Sequence, residues 1–298
     1  MDAIILVDKP AGITSAEAVR RIKRFVGRTR VGHLGTLDPF ATGLLPIMIG
    51  EATKLAPFLE RGEKEYEGVI SLGIETDTLD REGAAVAEAP VPEITAYALR
   101  DIERRFIGTI EQVPPVYSAI KRDGVRMYDL ARRGEAVDPP PARRVEIRAL
   151  ELSVESPQTL RCRLVCSTGT YARSIARDVA IALGTVGHLA QLRRTRSGEF
   201  RIDTAVALDT VVESMAERGE NLRMLTPAQA LGHLPAVSID SACERQLRYG
   251  DSRALDFRVP AGIEVALFSV IDASGRLIAV ARPLTPQTAK IERIFGPQ

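Results

Sequence analysis

Val31-Gly32-His33-Leu34-Gly35-Thr36-Leu37-Asp38-Pro39-Phe40-Ala41-Thr42-Gly43-Leu44-Leu45-Pro46 is the stretch around which the chain reads. Gly32, Gly35 and Gly43 permit tight turns and close backbone approach. His33 is one of three histidines in the chain, and Asp38 is the only acid between Glu17 and Glu51. Pro39 fixes its own φ and drives Asp38 towards an extended conformation. Downstream, Leu44 to Ile49 reads as a buried strand and Glu51 to Leu59 as a helix stopped by Gly62. Upstream, Thr14 and Glu17 form a capping box that opens a helix to Phe25, ending near Gly27. An ionisable group on a glycine-rich loop between a basic helix and a core strand is a candidate catalytic carboxylate. On local chemistry alone, an Asp-Pro turn is the simpler account of Asp38.

Working outward, Ala3 to Val7 predicts a short buried strand and Tyr66 to Ile74 alternates like one. Thr76 to Gly83 is a turn rich in capping residues. Thr95 to Phe106 predicts a helix closed by Gly108. Val145 to Val154 and Thr159 to Ser167 predict two long strands separated by Ser156-Pro157, followed by a helix from Tyr171 to Leu183. Gly187 to Ile202 reads as a strand pair turning at Ser197-Gly198. Val113 to Ala142 is different in kind. Pro114-Pro115, an Asp123-Gly124 turn, Arg126, Arg132, Arg133 and Pro139-Pro140-Pro141 mark it as an excursion from the domain. After an acidic helix around Asp209 to Glu217, the boundary of a second unit falls between Arg223 and Pro235. Beyond it come a helix near Cys243 to Tyr249 and strands Val265 to Ile271 and Leu277 to Arg282.

The 298 residues, 45% of them hydrophobic, suffice for one large domain or a large and a small one. No apolar run has the length needed to span a bilayer, and Met1 to Pro10 lacks the basic start and long apolar region of a signal peptide. Cys162, Cys166 and Cys243 show no zinc-site spacing and the histidines are scattered, so no metal is expected. Cys162 and Cys166 share a strand face as reduced core residues, which fits a cytoplasmic protein.

Net charge is +1, but it is unevenly distributed. Nine acids stand against three bases between Glu60 and Glu88, whereas eight arginines face only Asp178 and Glu199 between Arg161 and Arg201. Arg20, Arg21, Lys23, Arg24, Arg28 and Arg30 make a further basic block. Segregated arginine of this kind points to a polyanion-binding face.

The string GHLGTLDPFATGLLPIMIGEATK closely resembles the catalytic motif of the TruB family, the bacterial tRNA pseudouridine-55 synthases. The resemblance continues in the family's order through LVDKPAGITS (Leu6 to Ser15), KEYEGVISLGIETDTLDREG (Lys64 to Gly83), PPVYSAIKRDGVRMYDLARRGE (Pro114 to Glu135) and CSTGTYARSIARDVAIALG (Cys166 to Gly184). It implies an α/β chain of α+β type: a mixed, mainly antiparallel sheet flanked by helices over residues 1–231. A thumb-like, RNA-gripping insertion at about 113–142 and a small PUA-like β-barrel over 232–298 complete it. It implies that Asp38 is the catalytic carboxylate, that Tyr66 stacks on the target uracil with its hydroxyl near the C5 proton, and that Arg173 pairs with Asp38. Substrate contacts fall on His33, which enters the folded RNA loop, on Tyr171 in the pocket, and on Arg126 and Arg132 of the insertion. Lys9, with Pro10, supports the floor of the site. Asp80 stands where the family has an acid and reads as a turn-stabilising cap.

Isomerising uridine to pseudouridine breaks N1–C1′, turns the base and rejoins it through C5. It consumes no second reactant, so no cofactor is expected, and no phosphate-binding Gly-x-x-x-x-Gly-Lys-[ST] loop is present. Asp38 either removes the 2′ proton or attacks C1′; the sequence is consistent with both. The expected partner is the T-arm of tRNA, flipped out of its stack, with no membrane and no protein partner and the chain acting as a monomer. Three alternatives stand beside this: a glycosidase or nucleosidase, with Asp77 or Asp80 as second carboxylate; a non-catalytic RNA-binding or tRNA-folding protein; and a guide-dependent rRNA pseudouridine synthase.

Overall fold

A computed structural model of the protein describes residues 1–60, 62–117, 121–122, 125–126, 140–217, 222–256, 259 and 266–296. In chain order the first half contains β1 (Ala3–Lys9), α1 (Ser15–Lys23), β2 (Val31–His33) and β3 (Thr42–Ile49), then a 3₁₀ turn over Gly50–Leu55 running into α2 (Ala56–Leu59). β4 (Lys64–Leu72), β5 (Ile74–Thr76), β6 (Ala85–Glu88), α3 (Ala96–Phe106) and β7 (Gly108–Gln112) follow. Two short strands within the insertion, β8 (Lys121–Arg122) and β9 (Val125–Arg126), pair antiparallel. The rest of the insertion expected from Val113 to Ala142, including Arg132 and the side chain of Arg126, lies largely outside the described residues.

The second half contains β10 (Arg143–Ser156), β11 (Thr159–Cys166), α4 (Ala172–Ala182), β12 (Gly187–Ser197), β13 (Phe200–Arg201), β14 (Val206–Ala207), α5 (Leu208–Ala216) and α6 (Pro227–Ala230). It ends with β15 (Ala236–Ile239), α7 (Ser241–Arg248), β16 (Phe268–Asp272), β17 (Leu277–Pro283) and β18 (Ala289–Ile294).

The large sheet runs β14-β1-β3-β12-β4-β11-β10-β7, with β13 beside β12 and β2 beside β3. Its pairings are antiparallel except β1–β14 and β12–β3. The β12–β3 seam is short, Arg193↔Thr42 and Arg194↔Gly43, and it joins the two halves of the sheet. Gly43 is required there. Its φ is +101°, and a Cβ would collide with the Arg194 carbonyl and lie 2.8 Å from the Arg194 nitrogen. Pro46 sits within β3, a placement normally barred because proline cannot donate. It falls where the neighbour of β3 changes from β12 to β2, and its carbonyl still accepts from Leu34 at 2.9 Å.

Helix α1 starts as its cap chemistry predicts, with the Glu17 amide donating to Thr14 Oγ1 at 3.0 Å. The Glu17 carboxylate instead pairs with Arg20 and Arg21 rather than closing the box. Helices α1, α3 and α4 bury Ile22, Leu99, Ile102, Ile175 and Val179 against Ile5, Val7, Ile70, Leu164 and Leu189 of the sheet. Cys162 and Cys166 are free thiols, each pushed up to about 12 by burial.

The arginine-rich segment differs from its reading as a polyanion-binding face. Seven of its eight arginines pair with carboxylates: Arg161–Glu155, Arg163–Glu65, Arg173–Asp38, Arg177–Asp178, Arg193–Asp8, Arg196–Glu63 and Arg201–Asp203. Glu63 and Glu65 of the acidic block supply partners, because β4 lies between β11 and β12. Arg163 and Arg196 are thereby neutralised by the acidic block across the sheet, and the other paired arginines by carboxylates elsewhere. Lys23, Arg24, Arg28 and Arg30 are exposed and have no ion-pair partner among the described residues.

The C-terminal residues form a four-stranded sheet, β15-β16-β17-β18, with its own core around Phe268, Val270, Ile278 and Leu247. A second apolar cluster ties it to the large sheet: Leu277, Val280 and Phe295 pack with Ile4, Met48, Leu55, Ala230 and Leu231. No helix among the described residues is long and apolar enough to cross a membrane.

Candidate active site

The seam between β3 and β12 gathers the site. The Asp38 loop enters β3, Tyr66 lies on β4, and Arg173 opens α4, whose first turn faces the same cavity of about 550 Å³. His33, Tyr117 and Tyr171 also line it.

Three buried side chains fix the loop. Lys9, fully buried, donates to the carbonyls of Pro10 (2.8 Å), Ile13 (2.9 Å) and Pro39 (3.3 Å). Its ammonium thus holds the backbone beneath the site rather than facing the cavity, and burial lowers it to about 8. Ser15 Oγ donates to Leu37 O at 3.0 Å and accepts from Leu37 N at 2.9 Å. Arg194 donates to Leu44 O at 2.8 Å and to Gly35 O at 3.0 Å. Carbonyls and amides on both sides of Asp38 are therefore pinned from outside the loop.

Arg173 Nη2 donates to Asp38 Oδ1 at 3.1 Å, and Nε lies 3.0 Å from Oδ2 as an ion pair without hydrogen-bond alignment. The same guanidinium reaches Thr78 O (2.8 Å), Tyr117 O (3.0 Å) and Asp80 Oδ2 (3.4 Å). Arg173 is thus shared between two carboxylates and two carbonyls. Its helix starts without a side-chain cap; buried Gln112 of β7 takes over, accepting from Tyr171 N at 2.8 Å and donating to Tyr171 O at 3.1 Å. The Arg143 guanidinium sits 4.4 Å over the Tyr171 ring, a cation–π contact at the cavity rim.

Asp80 does cap its turn, accepting from Thr78 Oγ1 at 2.7 Å and Glu82 N at 3.0 Å. It is also a buried charge facing Arg173. Burial pushes the Asp38 carboxyl above the ordinary carboxylate range; Asp80 adds to that, while Arg173 and Lys9 oppose it. If the chemistry needs Asp38 ionised, the acid limb of kcat/KM lies above that of a free aspartate. Asp80→Asn removes a like charge, so it should move that limb to lower pH even as it slows the reaction. A pH–rate profile of both proteins checks the direction; a limb moving upward would contradict it.

Burial raises the Tyr66 hydroxyl, with Arg194 opposing. His33 is lowered by burial and by Arg194, so its imidazole is held neutral, and Nδ1 has no partner. Asp38, Tyr66, Arg173, His33 and Tyr171 share one cavity. Ser15, Gln112, Arg194 and the ion-pair role of Asp80 went unnoticed in the sequence. Ser15 lies inside the quoted LVDKPAGITS string, whereas nothing local marks Arg194 as buried.

Comparisons with known proteins identify the family. The TruB family pseudouridylate synthase N-terminal domain matches residues 23–172, and the tRNA pseudouridylate synthase B C-terminal domain matches residues 173–231. A tRNA pseudouridine synthase B of Aromatoleum aromaticum is 47% identical over 242 residues, covering 81% of this chain and 77% of that protein. One of Geotalea uraniireducens is 39% identical over 305 residues, covering 99% and 98%. Among solved structures, a Cbf5–Nop10–Gar1 complex superposes with a TM-score of 0.74 at 25% identity, covering 99% of this chain and 85% of that one. With both family domains matched in order and these relatives aligned along most of its length, the chain belongs to the TruB family of pseudouridylate synthases.

Proposed function

We propose that this chain isomerises uridine to pseudouridine at position 55 in the T-arm of tRNA, acting alone as a monomer in the cytoplasm and without a cofactor. The observation that carries the reading is Asp38: a carboxylate a third exposed at a cavity, pinned on both sides and aligned by Arg173. Asp38 serves as base at C2′ or as nucleophile at C1′. Tyr66 and Tyr171 offer aromatic faces to the extruded nucleotide. His33 stacks within the RNA loop as a neutral ring.

A glycosidase is disfavoured because its two carboxylates flank the bond. Here Asp38 and Asp80 both face one guanidinium, and Asp80 is occupied by its own turn. Incubating the purified chain alone with unmodified tRNA transcript, then mapping pseudouridine, tests the reading. Modification at position 55 supports it. Free uracil would indicate a hydrolase, and modification only after adding a guide RNA or partner protein would indicate a dependent enzyme.

The proposal extends to domain roles: residues 1–231 carry the chemistry and 232–298 form a PUA-like RNA-binding unit. Every residue facing the cavity precedes residue 232. Removing residues 232–298 should raise KM for tRNA and leave kcat within about tenfold, the pattern of lost uniform binding. The cut bares Met48 and Leu55 where Leu277, Val280 and Phe295 covered them, so folding of the truncated chain is first confirmed by circular dichroism. Intact KM with a collapsed kcat would overturn the division.

A further inference from the structure

Arg194 is a fully buried arginine without a carboxylate partner among the described residues. On β12 it stands directly opposite Tyr66 of β4 and, on its other side, opposite Gly43 of β3. Three of its contacts are backbone carbonyls: Leu44 O (2.8 Å), Gly35 O (3.0 Å) and Leu34 O (3.4 Å). Its in-register neighbour across the strand pair is Tyr66, the ionisable group whose charge favours the guanidinium. Both side chains line the Asp38 cavity.

Two consequences follow from elementary chemistry. A guanidinium only donates, so Arg194 offers no acceptor for the Tyr66 hydroxyl proton. That proton is left for a group in the cavity that both side chains line. A buried cation compensated only by carbonyl dipoles is also costly, and costs least when a full negative charge forms beside it. Tyr66 can supply that charge as a phenolate. Burial resists that charge most, and Cys166 and Asp38 add to the resistance; Arg194 is the cation that favours it.

We propose that Arg194 is a positioning residue that enables Tyr66 to exchange its hydroxyl proton with the flipped uracil, by stabilising the transient phenolate beside it. This rests on the pseudouridine synthase reading above. The atoms balance without an outside acid or base. Cleavage of N1–C1′ leaves the uracil as an anion, which takes the Tyr66 hydroxyl proton. After the base turns, C5 bonds to C1′ while still carrying its hydrogen. The phenolate takes that C5 proton and returns to phenol, and the product bears a proton at N1 in place of the one lost from C5. Asp38 recovers its own state separately, by either route open to it.

The competing account makes Arg194 only a clamp on the loop carbonyls. A double-mutant cycle under single turnover, with tRNA carrying uridine or 5-deuterouridine, separates the two. Arg194→Lys should slow isomerisation by about 10²-fold, the lower range for a proton-transfer contribution, with tRNA affinity within a few-fold. It should also raise the C5 deuterium isotope effect above that of the unsubstituted chain. In a Tyr66→Phe background, Arg194→Lys should cost little more, because residues acting through one hydroxyl are not additive. Additive losses with an unchanged isotope effect would overturn the proposal in favour of the clamp. A near-normal rate for Arg194→Lys would overturn it outright. If Arg194→Lys does not fold, Arg194→Gln, which keeps a donor and drops the charge, enters the same cycle. Absence of any isomerisation by the unsubstituted chain would instead refute the functional reading, so the two failures are distinct.

Discussion

Asp38→Asn is expected to abolish pseudouridine formation, by at least about 10⁴-fold, while tRNA affinity stays within a few-fold. The amide preserves the shape of the side chain, and the loop that carries it is held by Ser15, Lys9 and Arg194 through backbone atoms. Nothing in those contacts depends on the Asp38 charge, so the loop should keep its course. What disappears is the group we assign to take the 2′ proton or to attack C1′. An asparagine also leaves Arg173 facing Asp80 alone, so the guanidinium has reason to swing towards Asp80. Pseudouridine mapping after long incubation, alongside a filter-binding isotherm, reads both quantities. Turnover near the normal rate would displace Asp38 from its assigned role.

Arg173→Lys should cost roughly 10²-fold or more, the scale of a misplacement of about 1 Å at the reacting centre. The guanidinium serves four groups at once: Asp38, Asp80, Thr78 O and Tyr117 O. A lysine has three donors at a single nitrogen and cannot reach in four directions from one buried position. Either Asp38 loses its alignment or Asp80 loses its counter-charge, and both outcomes leave a carboxylate poorly compensated. The loss should fall on kcat more than on KM, because the contact is with the catalytic group and not with the RNA. Single-turnover kinetics of the folded variant measures it; a silent substitution would mean that the network is not needed for the chemistry.

Much of this site was legible from the chain because its decisive features are local. Gly35, Asp38, Pro39 and Gly43 each act on the backbone within a residue or two. Thr14 and Thr95 cap their helices from three residues away. Strand alternation located β4 and β11, which share Tyr66↔Leu164, and Ser197-Gly198 located the β12–β13 turn. The illegible part is what joins distant segments. The arginine-rich run looked like a basic face because its carboxylates lie far off in sequence: Glu65 for Arg163, Glu63 for Arg196, Asp8 for Arg193. Only the strand order β3-β12-β4-β11 brings them together. Arg194 was invisible for the same reason, since arginine in an alternating strand is ordinarily solvated, and its burial depends on Gly35 and Gly43 making room for it.

The pairing of those arginines with carboxylates bears on how a polyanion first meets the protein. With Arg161, Arg163 and Arg196 tied to carboxylates, the broad sheet face presents little long-range field. Exposed positive charge without an ion-pair partner among the described residues includes the end of α1 and the turn after it, at Lys23, Arg24, Arg28 and Arg30. That segment leads directly into β2 and His33, at the lip of the cavity. Positive charge on that segment attracts a polyanion towards the side of the molecule where His33 lines the cavity. The search for a productive encounter is shortened by where charge has been silenced as much as by where it remains.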